Sequence, residues 1–308
     1  MIIQTNHMIE EIHQDELNAI GPLIDKYREQ FPERIPENFL NRIKESVADD
    51  KACVFGAYSE GHSVTGIALF GKVSKRINFV YGMGDIETEK KLVTALFDRF
   101  SDEFSYIGTG GPWIPEELAR HIQEIGFGRY DRMYMTLPRA GIESLDEPKL
   151  PDGMSFNPYT PELREEISQV VFEGNDNHVD QSVFPEFFGT IEACQRLLEN
   201  IEDNRYGEYR ESLSWILRRN GEAIGACFMT VRNGDMGYVP EIVINKEYRG
   251  KKLGKSILVH SMKRLLESDS DLIKVDLDVT LSNHARFLYE SLGFTKVQDY
   301  TMYTWIRK

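Results

Sequence analysis

The chain has 308 residues, room for about two domains at ~150 residues each. Its 41% hydrophobic and 28% charged residues are ordinary for a globular protein and exclude a disordered or low-complexity chain. Lys and Arg number 36 against 50 Asp and Glu, and the net charge of −14 argues against nucleic acid or an acidic membrane surface as partner. The acidity is even, with 17 basic and 25 acidic residues over 1–150 and 19 and 25 over 151–308. One stretch departs from it: residues 246–264 hold seven Lys or Arg and a single Glu.

In chain order, apolar spacing predicts a helix over 14–29 (Leu17, Ile20, Leu23, Ile24, Tyr27) and another over 36–48. Strand-like runs follow at 52–58, 64–73 and 77–81, then a helix over 87–100, a strand at 106–108, a helix over 115–125 and a strand at 130–137. Prolines 138, 148 and 151 with glycines 141 and 153 mark a break without periodicity, so the expected division is 1–138, a linker 139–152, and 153–308. Beyond it, helices are expected over 160–172 and 185–199, strands at 213–218, 223–231 and 237–244, and a helix over 254–267. A strand at 272–279, a helix over 283–291 and a strand at 300–306 complete the order.

The halves echo one another. Val64–Phe70 parallels Ala223–Phe228 at an offset of 159. Ile125-Gly126-Phe127 before Met133-Tyr134 parallels Leu292-Gly293-Phe294 before Met302-Tyr303 at an offset of 167. A tandem duplication with a loop insertion in the second copy explains both. Cys53, Cys194 and Cys227 are far apart and form no CxxC pair, and the histidines stand singly, so neither a disulfide framework nor a metal site is expected. The first residues lack a basic segment followed by an apolar one, and no apolar run reaches ~18 residues, which leads to the expectation of a reduced, cytoplasmic protein without a membrane partner. Oligomeric state is open.

The informative stretch is Glu241–Ile244 leading through Asn245–Lys252 to Leu253-Gly254-Lys255-Ser256. Here a strand enters a turn with two glycines that opens an amphipathic helix. Glycines let backbone N–H groups approach phosphate oxygens, and a helix N-terminus supplies unpaired donors and the positive end of its dipole. Arg249, Lys251, Lys252 and Lys255 add charge, so the local excess of cations marks where an anionic group would land. A P-loop needs four residues between its glycines, and only three separate Gly250 from Gly254; a nucleotide-dependent phosphotransferase therefore stands as an alternative that would have to use a short loop.

Arg249-Gly250-Lys251-Lys252-Leu253-Gly254 resembles the Arg/Gln-x-x-Gly-x-Gly/Ala turn of the GCN5-related N-acetyltransferase (GNAT) superfamily, with Lys252 at the place of the middle glycine. The stretch from Asp278 to Phe294 resembles the superfamily's closing Asn-x-x-Ala-x-x-x-Tyr-x-x-x-Gly-Phe pattern. Ala285, Tyr289, Gly293 and Phe294 are in place, Ser282 stands where the Asn is usual, and Asn283 one place late. The resemblance implies an α/β (α+β) fold of two tandem GNAT-like domains, each a mixed, mostly antiparallel central sheet flanked by helices. It further implies an acetyl-CoA-dependent N-acetyltransferase without a metal. Acetyl-CoA would rest its pyrophosphate on Arg249 to Lys255 and pair its pantetheine arm with Ile242, Val243 and Ile244, with Asn283 a further contact. Tyr289 is then the expected general acid for the departing thiolate and Glu241 the expected base for the amine. The acceptor, a small-molecule or peptide amine, is expected against 173–188, where carboxylates and aromatics mix. A non-catalytic acyl-CoA-binding or regulatory module on the same fold is the other alternative. The first copy carries Ile122 at the position of Tyr289 and an acidic turn at 81–89, so it is expected to be a degenerate copy.

Overall fold

In the computed structural model the described residues are 8–110 and 114–308. The elements follow in chain order. β1 (Met8–Ile12) precedes a 3-10 turn at 14–20, α1 (Gly21–Gln30) and α2 (Phe39–Ala48). β2 (Ala52–Tyr58), β3 (Val64–Gly71) and β4 (Arg76–Tyr81) lead to α3 (Ile86–Phe100), β5 (Tyr106–Gly110) and α4 (Glu116–Glu124). β6 (Gly128–Pro138), α5 (Arg139–Glu143), β7 (Met154–Pro158), α6 (Arg164–Asn175), α7 (Val179–Val183), α8 (Pro185–Phe188) and α9 (Ile191–Glu202) come next. The chain ends with β8 (Glu208–Tyr209), β9 (Trp215–Arg219), β10 (Glu222–Arg232), β11 (Met236–Ile244), α10 (Leu253–Ser268), β12 (Lys274–Thr280), α11 (Ala285–Ser291) and β13 (Thr295–Ile306).

Two compact units form, and they differ from the expected halves: one joins the residues up to Arg129 to Thr301–Lys308, and the other runs from Tyr130 to Tyr300. The physical reason is strand pairing. β6 is hydrogen-bonded antiparallel to β12, from Arg132 opposite Thr280 to Pro138 opposite Lys274, and so belongs to the second unit. The end of β13 pairs with β5, from Met302 opposite Gly110 to Ile306 opposite Tyr106, and so belongs to the first. Each unit thus contains a strand from the other half of the sequence. The expected linker is structured as well. Ile142 of α5 is buried, and Arg139 donates from Nη1 to the Ser270 carbonyl at 2.7 Å.

In the first unit β1, β2, β3 and β4 are antiparallel neighbours, and β4 meets β5 in parallel over Arg76–Ile77. In the second, β7, β9, β10 and β11 are antiparallel, β11 meets β12 in parallel, and β6 pairs antiparallel with the other edge of β12. The two faces of the second sheet alternate as strand geometry demands. Leu217, Ile224, Cys227 and Met229 pack with Ile257, Leu258 and Met262 of α10. Ile216, Ala226, Phe228 and Val243 pack with α6 and α9.

The pairing of β11 decides where a ligand can enter. Its parallel ladder with β12 spans only Met236–Val239 against Lys274–Leu277, although β12 continues to Thr280. Pro240 follows immediately, and proline has no N–H to extend a ladder. From there to Ile244 the strand keeps β10 on one side, through Phe228, Cys227, Ala226 and Gly225, while the other edge parts from β12.

Candidate active site

The gap opened at Pro240 is the mouth of a cleft of about 780 Å³ within the second unit. Glu241, Ile242, Val243 and Ile244 line it, as do Arg249, Gly250, Lys252, Leu253, Gly254, Asn283 and Tyr289. Sequence reasoning picked these residues from separate segments, and the fold brings them to one place. Lys251 and Lys255 are not among the lining residues; Lys251 Nζ donates to the Glu247 carbonyl at 3.1 Å instead.

The turn has the shape the sequence requires. Gly250 takes φ +74° and Lys252 φ +63°, both in the left-handed region. Glycine is at ease there, whereas a side chain is strained, which accounts for the usual middle glycine at the position Lys252 occupies. Lys252 caps α10, so the amides of Leu253, Gly254 and Lys255 lie in its first turn, and nothing stands within 4 Å of a Cβ added at Gly250. Donor chemistry and open space both suit a phosphate. Arg249 behaves differently from expectation: its side chain turns inward, donating from Nε to the Ile244 carbonyl at 2.9 Å and from Nη2 to the Gly174 carbonyl. It ties the turn to the end of α6, where a Cβ on Gly174 would collide with Val243.

Deeper in the cleft stand two carboxyls with opposite surroundings. Glu241 is buried on β11 and receives one long hydrogen bond, 3.4 Å from Asn175 Nδ2. Burial, reinforced by the negative charge of Asp180 and only weakly opposed by the Asn175 amide, pushes its carboxyl up to about 8. Asp180, on α7, accepts from Thr280 Oγ1 at 2.6 Å and from Asn283 Nδ2 at 2.8 Å, and Arg132 Nη1 lies 3.4 Å away. Burial lifts this carboxyl too, but hydrogen bonds from His178 and Thr280 and the Arg132 charge outweigh it and hold Asp180 below the usual carboxylate range. Asn283 is therefore committed at both ends of its amide, since its Oδ1 also accepts from the Ala285 N–H at 2.8 Å. Tyr289 is buried on α11 with its ring edge-on to Phe294. Burial and the nearby Glu241 carboxylate raise its hydroxyl well above the ordinary phenol, so it keeps its proton at neutral pH.

The far wall was only partly foreseen. The segment 173–188 does supply Asn175, His178, Asp180, Phe184, Phe187 and Phe188. Arg132, which sequence order assigns to the first half, enters on β6 and is 6% exposed. It donates from Nη1 to Thr280 Oγ1 at 2.7 Å and from Nε to Tyr300 Oη at 3.0 Å, and its guanidinium lies 4.7 Å from the Phe184 ring centre. Tyr300 and Tyr238 in turn donate to the two oxygens of Asp278, at 2.8 and 3.0 Å. No local signal singles out Arg132, which follows Arg129 and Asp131 at the polar start of β6.

Residues 177–308 match the family model described as an acetyltransferase (GNAT) domain. Over 83 residues the chain is 31% identical to N-alpha-acetyltransferase 30 of Dictyostelium discoideum, a match covering 26% of this chain and 44% of that protein. It thus spans under half the length of that curated relative. Among solved structures, a GCN5-related N-acetyltransferase from Sphaerobacter thermophilus superposes with a TM-score of 0.59 at 14% identity, over 97% of this chain and 95% of the other. A tandem GNAT protein from the clavulanic acid biosynthesis pathway does so with a TM-score of 0.54 at 13% identity, over 98% of each chain. The fold is like that of tandem GNAT proteins, and residues 177–308 are similar to a GNAT acetyltransferase domain.

Proposed function

We propose that the protein is an acetyl-CoA-dependent N-acetyltransferase acting on a primary amine, with its active site in the Tyr130–Tyr300 unit. The observation that carries this reading is the conjunction in one cleft of an unpaired strand edge at 240–244, a glycine turn opening a helix, and Glu241 and Tyr289. The free edge of β11 offers N–H and C=O groups to the amide-bearing arm of the cofactor, and the turn amides receive its pyrophosphate. The amine of the acceptor attacks the thioester carbonyl, forming the C–N bond as the C–S bond breaks. Glu241 takes the proton the ammonium must lose, and Tyr289 Oη gives a proton to the departing thiolate. With its carboxyl pushed up to about 8, Glu241 is a strong enough base for an amine and is largely protonated below that pH. The acceptor enters against the aromatic wall of Phe184, Phe187 and Tyr206, which suits an amine on a partly apolar body. The first unit serves as a non-binding copy that no longer takes CoA.

Titration with acetyl-CoA and, separately, with Mg-ATP, followed by thiol release across a panel of alkylamines, amino acids and peptides, tests the reading. Acetyl-CoA binding with amine-dependent thiol release is expected; binding without release to any amine favours the non-catalytic module, and binding of Mg-ATP alone favours the phosphotransferase.

A further inference from the structure

Two carboxyls share this cleft, and hydrogen-bond supply separates them. Asp180 accepts from Thr280 on one oxygen and from Asn283 on the other, with the Arg132 guanidinium 3.4 Å away. Among the described residues Glu241 has Asn175 alone, at 3.4 Å. When two nearby carboxyls compete for ionisation, the better-solvated one holds the charge and the other holds the proton.

The remaining groups facing Glu241 do not alter that division. Cys194 from α9 and Cys227 from β10 have thiols pushed up to about 12 by burial, and burial pushes the Tyr206 hydroxyl to about 12 as well. Tyr289 on α11 is higher still, and Asn175 on α6 does not titrate. All are uncharged near neutrality. The fixed charge within reach of Glu241 is that of Asp180, and Arg132 on β6 moderates it.

We propose that Asp180 is a positioning residue of this site, whose permanently ionised carboxylate sets the proton affinity of Glu241 and whose hydrogen bonds fix α7 against β12 and the turn that precedes α11. Arg132, carried on a strand from the first half of the sequence, tunes that charge from behind. The kinetic part of this proposal rests on Glu241 being the base of the proposed acetyl transfer; the titration part does not.

The test is a carbon-13 carboxyl NMR titration of the full-length protein, with the Glu241 signal assigned by its loss in Glu241→Gln. Asp180→Asn removes the charge, and the Glu241 midpoint is expected about one pH unit lower. Arg132→Gln removes the moderating cation, and the midpoint is expected to move the other way. Opposite displacements are something a merely structural role does not produce. An unmoved midpoint in Asp180→Asn, or displacement of both variants in the same direction, overturns the proposal. Should either variant fail to fold, the sign of the other decides. In the acetyl-transfer assay the acid limb of kcat/KM should follow the NMR midpoints; titrations that move as expected in a protein that acetylates no amine would uphold Asp180's role and refute the acetyl-transfer reading.

Discussion

The two strand-to-helix turns of this protein are built on one plan and filled in opposite ways. In each, a pair of residues with positive φ turns the chain from a strand into a helix: Met83 and Gly84 in the first unit, Gly250 and Lys252 in the second. At 245–252 no side-chain hydrogen bond caps the helix start, and the flanking charges are basic. At 82–85 the protein supplies its own anions. Glu89 accepts from the Gly82 N–H at 3.1 Å, and Asp85 accepts from the Glu87 N–H at 3.1 Å and from Thr88 Oγ1 at 2.7 Å. A carboxylate at a helix start satisfies the same donors and the same dipole that a phosphate would. On the proposed reading, a duplicated domain loses binding without a change of fold, by gaining an internal ligand.

The most severe way to break the comparison is to cut the chain at its apparent linker. A fragment of residues 153–308 lacks β6, leaving the β12 edge bare and removing Arg132. It is expected to give no folded, CoA-binding monomer by circular dichroism and gel filtration, although it retains every motif that the sequence displays. Next in size is the chemistry. Glu241→Gln should lower kcat by about 100- to 10,000-fold, with Tyr289→Phe in the same range. In the wild type kcat/KM should rise with pH toward a plateau above about 8, the value to which burial moves Glu241.

That same carboxyl links stability to pH. Its folded value lies above its ordinary one, so between roughly 4.5 and 8 the native state holds a proton the unfolded chain has lost, and stability falls as pH rises across this window. Glu241→Gln should flatten that decline in denaturant titrations, which separates its effect on stability from its effect on rate.

Smaller effects sharpen the likeness of the turns. Gly254→Glu installs in the second turn the kind of internal anion that the first turn carries in Glu89. It should cost about 2 kcal/mol of CoA binding, roughly a 30-fold rise in Kd measured by calorimetry. Lys252→Gly relieves a left-handed side chain and should raise stability by no more than about 1 kcal/mol while weakening CoA binding, since it removes strain and charge together.

Much of this was written in local sequence. The helix over 87–100 lies at Ile86–Phe100 and the strand at 237–244 at Met236–Ile244, because each has a clear period and breakers at its ends. Pro240 marks the parting of β11 from β12, a plain chemical signal inside a strand. The exchange of closing strands was not legible. Met133-Tyr134 and Met302-Tyr303 are echoes of one another, so either strand satisfies the pattern of either sheet, and no local feature says which sheet it joins. Arg132 was missed for that reason. In the sequence Arg249 reads as a phosphate ligand because charge can be counted there, whereas the carbonyls of Gly174 and Ile244 that claim its side chain come into reach only after folding.

The three cysteines carry a practical consequence. Cys53, Cys194 and Cys227 are all buried, and burial pushes each thiol up to about 12, so at assay pH almost none is thiolate. A disulfide reagent added to the native protein should therefore develop little colour of its own, and any thiol released during turnover can be followed continuously against a nearly silent background.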